Sequence, residues 1–300
     1  MQWFILALIS AVCLGLYDVL RKYSVRNNPV LPVLAVSTLS SVLLLLPFKI
    51  LSATGGLEPT ADLYIPGIEA HAHMLLVIKA AIVLSSWIFV YFGIKNLPLS
   101  IVAPIRATAP IWTLMGALII FAERPNSIQW VGLCVTFLFF FLFSLAGARE
   151  GVNFRANKWV WSVILGTLIG AGSALFDKHI IAEAHIPRMS VLFYYSIYQF
   201  LMTLPLMRIL WYPGREREPF SFHWSMPLIG IVIIAADFFY YGALDNQDAL
   251  ISLVSPIRRS NSIISFTLAA ILFHEHNILR KGLCLFGILG GIAVIIYGSM

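Results

Sequence analysis

Seven charged residues stand inside stretches that are otherwise apolar: Asp18, Lys79, Arg106, Asp177, Asp237, Arg258 and Arg259. Four are cations and three are acids, which leaves one surplus positive charge. The planar donor fork of an arginine matches a carboxylate or a phosphate, so the surplus suits an anionic ligand. A carboxylate held in an apolar layer can also take up and release a proton. Asp237, close in sequence to Tyr240 and Tyr241, is the acid best placed for such proton coupling. The surplus disappears if Lys79 reaches out to one edge of the layer or Arg259 faces it.

These charges belong to a pattern written twice. Gly15-Leu16-Tyr17-Asp18 returns as Ala174-Leu175-Phe176-Asp177, and Leu46-Pro47 returns as Leu204-Pro205. Ala103-Pro104-Ile105-Arg106 returns as Ser255-Pro256-Ile257-Arg258. Glu123 and Glu275 follow at equal spacing from the two arginines, and Gly132-Leu133-Cys134 is then echoed by Gly282-Leu283-Cys284. The order is the same in both halves, so the chain is a duplicated unit.

Composition fixes the medium that must hold these residues. Hydrophobic residues make up 60% of the chain and charged residues 11%, against about 25% charged in a soluble domain. A soluble fold is excluded. Apolar runs of about 20 residues, the length that crosses a bilayer as a helix, recur throughout. Ten are read at 3–22, 31–51, 74–94, 99–121, 128–146, 159–182, 190–210, 224–244, 250–272 and 282–299. The runs are continuous rather than alternating at period two, which argues against a membrane barrel. The expected fold is an all-α integral membrane protein with ten transmembrane helices. The first run lacks a basic leader and is part of the repeat, so it is expected to stay in the mature protein.

Five spans per half place the second half upside down relative to the first, giving two inverted five-helix repeats. Duplicated halves of this kind usually enclose a site at their interface. With side A defined as the side where the first span begins, side-B loops carry Arg21, Lys22, Arg26, Lys95, Arg149, Arg155, Lys158, Arg208, Arg215, Arg217, Arg280 and Lys281. Side A carries Lys49, Arg124, Lys178 and Arg188. The excess of basic residues assigns side B to the cytoplasm and both termini to the outside. A basic chain can signal nucleic acid, but here the basic residues are scattered over loops, so no nucleic-acid partner is expected.

Inversion also pairs the charges. Asp18 ends the first span and Arg106 begins the fourth on side B, about 10 Å deep at 1.5 Å per residue. Asp177 and Arg258 share side A in the same way. Each pair either lines its own side of a central cavity, making and breaking as that side closes and opens, or holds two helices together permanently. Pro104 and Pro256 precede the arginines by two residues and remove a backbone donor at that depth, a common way of building polar sites in membrane helices.

Other motifs have plainer readings. Glu123 and Glu275 end the fourth and ninth spans and are expected to cap the following turn or pair with a neighbour such as Arg124. His71-Ala72-His73 and His274-Glu275-His276 lack a third ligand, so no metal is expected, and no cofactor motif is present. Cys13, Cys134 and Cys284 have no paired spacing and read as core residues. Trp87, Phe89, Tyr91, Trp112 and Trp161 could stack on a ring-bearing substrate, although most such aromatics face core or lipid. Gly166 with Gly170, and Gly287 with Gly291, let helices approach closely, within the bundle or across a homodimer face.

The stretches from Pro104 to Glu123 with Gly132, and from Pro256 to Glu275 with Gly282, resemble the drug/metabolite transporter superfamily in its EamA-like branch of ten-helix proteins. They share its pattern of proline, apolar helix, acid-bearing turn and glycine-containing helix. The resemblance covers essentially the whole chain, with one EamA-like repeat over residues 1–150 and a second over 151–300. It implies alternating access around a central cavity lined by helices 1, 3, 4, 6, 8 and 9. It also implies termini in the cytoplasm, against the loop charges, and it carries over no substrate.

The expected function is therefore secondary transport of a small metabolite, with an anion favoured by the surplus charge. The expected location is a multi-pass position in a bacterial-type inner membrane. Substrate-binding or gating roles are assigned to Arg106, Arg258, Asp18, Asp177, Lys79, Asp237 and Tyr240. Primary transport is disfavoured by the lack of a Walker-type glycine loop. The chain is not expected to be an enzyme, because no cluster of acids, nucleophile with base, or metal ligands stands at a membrane face. The alternatives are an integral membrane enzyme and a non-transporting scaffold, and the scaffold predicts no cavity between the halves. Partners are a small-molecule substrate and the lipid bilayer, with the protein either monomeric or a homodimer.

Overall fold

A computed structural model describes residues 2–25, 28–97, 105–106, 108–145, 157–216, 219–246, 248–261, 264 and 278–299. Arg26, Ala103, Pro104, Arg149, Arg155, Arg217, His274, Glu275 and His276, and the side chains of Lys22, Tyr91, Lys95, Arg280 and Lys281, lie outside the described residues. The helices are α1 (Gln2–Val25), α2 (Val30–Ala53), α3 (Ala70–Asn96), α4 (Ala109–Ile120), α5 (Ser127–Leu145), α6 (Lys158–Lys178), α7 (Arg188–Leu206), α8 (Ser225–Leu244), α9 (Ile251–Arg259) and α10 (Ile278–Tyr297). Local chemistry marks several starts. The Asn157 side chain accepts the Trp159 N–H at 2.9 Å ahead of α6, and Asn126 and Gln129 cap α5 reciprocally. Single π-helical turns, His179–Glu183 and Met207–Trp211, prolong α6 and α7 and carry Ile180 and Ile181 into the core.

Six helical stretches of 20 to 27 residues are long and apolar enough to cross a membrane among the described residues. Large apolar side chains such as Ile5, Leu43, Ile119, Trp161 and Phe286 stand exposed, as a lipid-facing surface requires. Hydroxyls inside the bundle return to their own helix or cross to a neighbour, as Ser86 does to Gly166 O at 2.7 Å. Thr113 donates to Ala109 O, Thr136 to Gly132 O and Thr167 to Val163 O, so these hydroxyls are satisfied in an apolar medium. The chain is an all-α multi-pass membrane protein.

The most extensive helix packings follow a two-fold exchange in which each helix is replaced by the one five places along. The packing of α1 on α8 maps onto α6 on α3, α2 on α8 onto α7 on α3, and α1 on α9 onto α6 on α4. The contacts α2·α7, α4·α9 and α5·α10 map onto themselves and so lie along the axis. With five helices per half, the two halves run in opposite senses across the membrane.

Small residues make these crossings possible. A Cβ on Gly166 would come within 2.8 Å of Val90, and one on Gly287 would strike the Phe139 ring. On Gly291 it would clash with Thr136 and reach 3.0 Å from Gly132 O. Both glycine pairs noted in the sequence therefore have members that serve packing inside the bundle. Gly291→Leu is expected to cost at least about 1–3 kcal/mol by overpacking α5 against α10. Gly290→Leu, which meets nothing within 4 Å, should leave the melting temperature in detergent unchanged.

Candidate functional site

A cavity of about 210 Å³ lies between the halves. Its wall is drawn from six helices, α1, α3, α4, α6, α8 and α9, and from the short helical stretch before α4. Leu14 and Arg21 come from α1, Ser86, Trp87 and Val90 from α3, and Arg106, Ala109 and Thr113 from the α4 region. Gly166, Thr167, Gly170, Ala171 and Ala174 come from α6, Tyr240 from α8, and Ser255, Arg258, Arg259 and Asn261 from α9 and the residues just after it. Four arginines and no carboxylate line it among the described residues. Arg259 lies within electrostatic reach of Arg21, Arg106, Arg258 and Asp18. With α1 running from side A to side B, most of these residues fall in the side-B half of their helices.

Toward side A the charges close into pairs. Arg258 donates through one terminal guanidinium nitrogen to Asp237 Oδ1 and through Nε to Ser10 Oγ at 3.3 Å, and its guanidinium carbon sits 3.8 Å from the Tyr240 ring centre. One step further toward side A, Lys79 Nζ binds Asp177 and lies 4.7 Å from the ring centre of Tyr195 and 5.4 Å from that of Tyr241. Lys79 is only 2% exposed. A lysine among apolar helices is held there by its counter-ion and by the negative faces of two rings.

The structure corrects the pairing expected from the sequence. Asp177 takes Lys79 rather than Arg258, and Arg258 takes Asp237. Lys79 is buried and does not reach side A, and Arg259 lines the cavity instead of an edge. Asp18 accepts from Arg21 at 3.2 Å and from Asn261 at 2.7 Å, while Arg106 stands in the cavity wall. Glu123 does not serve its own turn. It receives Lys178 Nζ, the N–H groups of Ile251 at 2.8 Å and Ser252 at 3.0 Å, and the Ser252 hydroxyl at 2.5 Å. Of the aromatics, Trp87 lines the cavity, whereas Trp112 and Trp161 are exposed. His73 is bonded through Nδ1 to the Tyr198 hydroxyl at 2.7 Å.

Sequence reasoning missed Arg21 and Asn261. Arg21 reads as a loop cation because it stands three residues after Asp18 at the end of a span, and only its i,i+3 spacing from that acid hints at a fixed position. Asn261 carries no charge and gives no signal.

Residues 1–145 match the family model described as the EamA-like transporter family. No curated protein matches the chain. A solved structure described only as "Crystal structure of protein" is similar over 97% of this chain and 98% of its own, with 14% identity and a TM-score of 0.71. That likeness confirms the fold over nearly the full length. Over its first 145 residues, just under half of its length, the chain matches the EamA-like transporter family, consistent with the drug/metabolite transporter superfamily.

Proposed function

We propose that the protein is a secondary transporter of a small anionic metabolite, working by alternating access between repeats at 1–150 and 151–300 in a bacterial-type inner membrane. One observation carries this reading: a cavity at the junction of six helices presents, among the described residues, four arginines and no carboxylate. In a low-dielectric bundle such a wall attracts and desolvates an anion, and guanidinium forks fix its carboxylate or phosphate. The volume of about 210 Å³ is below the roughly 300–1,000 Å³ of pockets for drug-sized ligands, so the substrate is small. Trp87 and Tyr240 add flat apolar surface beside the charges. The cavity belongs to a state that faces side B, which the loop charges assign to the cytoplasm. Asp237, bonded to Arg258, carries a coupled proton when substrate competes for that guanidinium.

The test is counterflow in proteoliposomes with labelled small carboxylates, phosphate esters, neutral sugars and zwitterionic amino acids. Only anions should exchange, and Arg106→Ala should reduce their uptake on the order of tenfold or more. Exchange of neutral solutes with no anion transported refutes the reading. So does chemical turnover of the solute by protein in detergent.

A further inference from the structure

One set of helix ends on side A is tied across the two halves by a single side chain. On side A the set is the end of α4, the end of α6 and the start of α9. Arg21, Arg106 and Asn261 line the cavity, away from this set. The side-A set is knitted together by one carboxylate. Glu123 follows α4 in the first half and is 6% exposed. Its two oxygens hold Lys178 at the end of α6 and the first two N–H groups of α9, both in the second half. The duplicated acids differ in exposure: the Asp18 side chain is 25% exposed and that of Asp177 8%.

We infer that Glu123 is the side-A gate residue, a carboxylate latch whose release from Lys178 and the α9 start lets the halves part on side A. This rests on the transporter reading and names the residue that sets which side is open. The geometry suits a reversible latch. Glu123 stands just past the end of its own helix, so it can leave without breaking α4. The α9 N–H groups and Lys178 Nζ lie at helix ends, where water replaces the carboxylate when the side opens. The negative charge also complements the positive end of the α9 dipole, an interaction available only while the halves are together. A permanent tie needs no such placement across the halves, because α4 and α9 already pack directly along the axis.

Opening can be read without any substrate, which separates this inference from the choice of cargo. In a background lacking the three native cysteines, single reporters are placed at Ala243→Cys, buried at the side-A end of α8, and at Ala174→Cys in the side-B cavity wall. Each is labelled with a membrane-impermeant thiol reagent applied from its own side of oriented vesicles. Glu123→Gln keeps the shape of the side chain but removes its charge, and Lys178→Met removes the partner. Loss of a charge-assisted bond should shift the equilibrium toward side A by roughly tenfold. Labelling at 243 should therefore rise by about that factor, while labelling at 174 falls. Either variant suffices if the other does not fold. Labelling that rises at both reporters marks a loosened fold, and labelling that changes at neither marks a static tie. Both outcomes overturn the inference.

Discussion

Lys79→Met should lower stability by about 3–5 kcal/mol, the cost of leaving a buried carboxylate without its cation. Asp177→Asn should cost a similar amount by stranding Lys79. Both residues are buried, and the pair joins α3 to α6 across the two halves. The double variant should recover much of the loss, because an amide beside a thioether requires no charge in an apolar medium. Melting temperatures in detergent for the four proteins form a double-mutant cycle, whose coupling should exceed the roughly 0.5–3 kcal/mol usual for neighbouring residues. Single variants that melt like the parent would show that the pair is not buried in the native state. The rings of Tyr195 and Tyr241 set the margin, since they hold an ammonium that a neutral side chain cannot replace in kind.

Arg258→Lys should raise the KM for the transported anion by on the order of 10- to 100-fold while leaving the melting temperature close to that of the parent. A lysine keeps the positive charge that Asp237 needs, so the fold loses little. What it gives up is the second arm of the fork. In the structure one terminal nitrogen is committed to Asp237 and Nε to Ser10, and the plane lies against Tyr240. A single ammonium cannot hold the acid, face the ring and present a further donor to the cavity at once. Uptake kinetics and thermal melts on one preparation separate the two effects. A KM that stays unchanged would remove Arg258 from the substrate site and leave it as the partner of Asp237.

Much of this architecture was legible in the residues alone. Continuous apolar runs of bilayer length gave the helices, because an unsatisfied backbone in lipid leaves no other option once a barrel is set aside. The repeated Asp, Pro-x-Arg and Gly-Leu-Cys elements gave the duplication, and an odd number of spans per half gave its inversion. The six helices around the cavity agree with those the family resemblance implied. The pairing of charges was not legible. Asp18 and Asp177 repeat, as do Arg106 and Arg258, so symmetry alone matches Asp177 with Arg258. Lys79 on α3 and Asp237 on α8 do not repeat as like charges, although these two helices exchange under the two-fold. Each unduplicated charge claims one duplicated partner, and the symmetric pairing on side A gives way to two pairs that depart from the repeat.

The chain thus determined, by itself, what must be buried from water and how often: apolar length and its repetition are properties of the sequence, and the bilayer converts them into helices and halves. Only the tertiary structure decided which buried charge meets which. A partner is chosen by depth and azimuth within a few ångströms, and these depend on how glycines such as Gly166 and Gly291 let helices close on each other. The same packing sent Glu123 across to the other half, to Lys178 and the start of α9, a destination more than fifty residues away in one case and more than a hundred in the other.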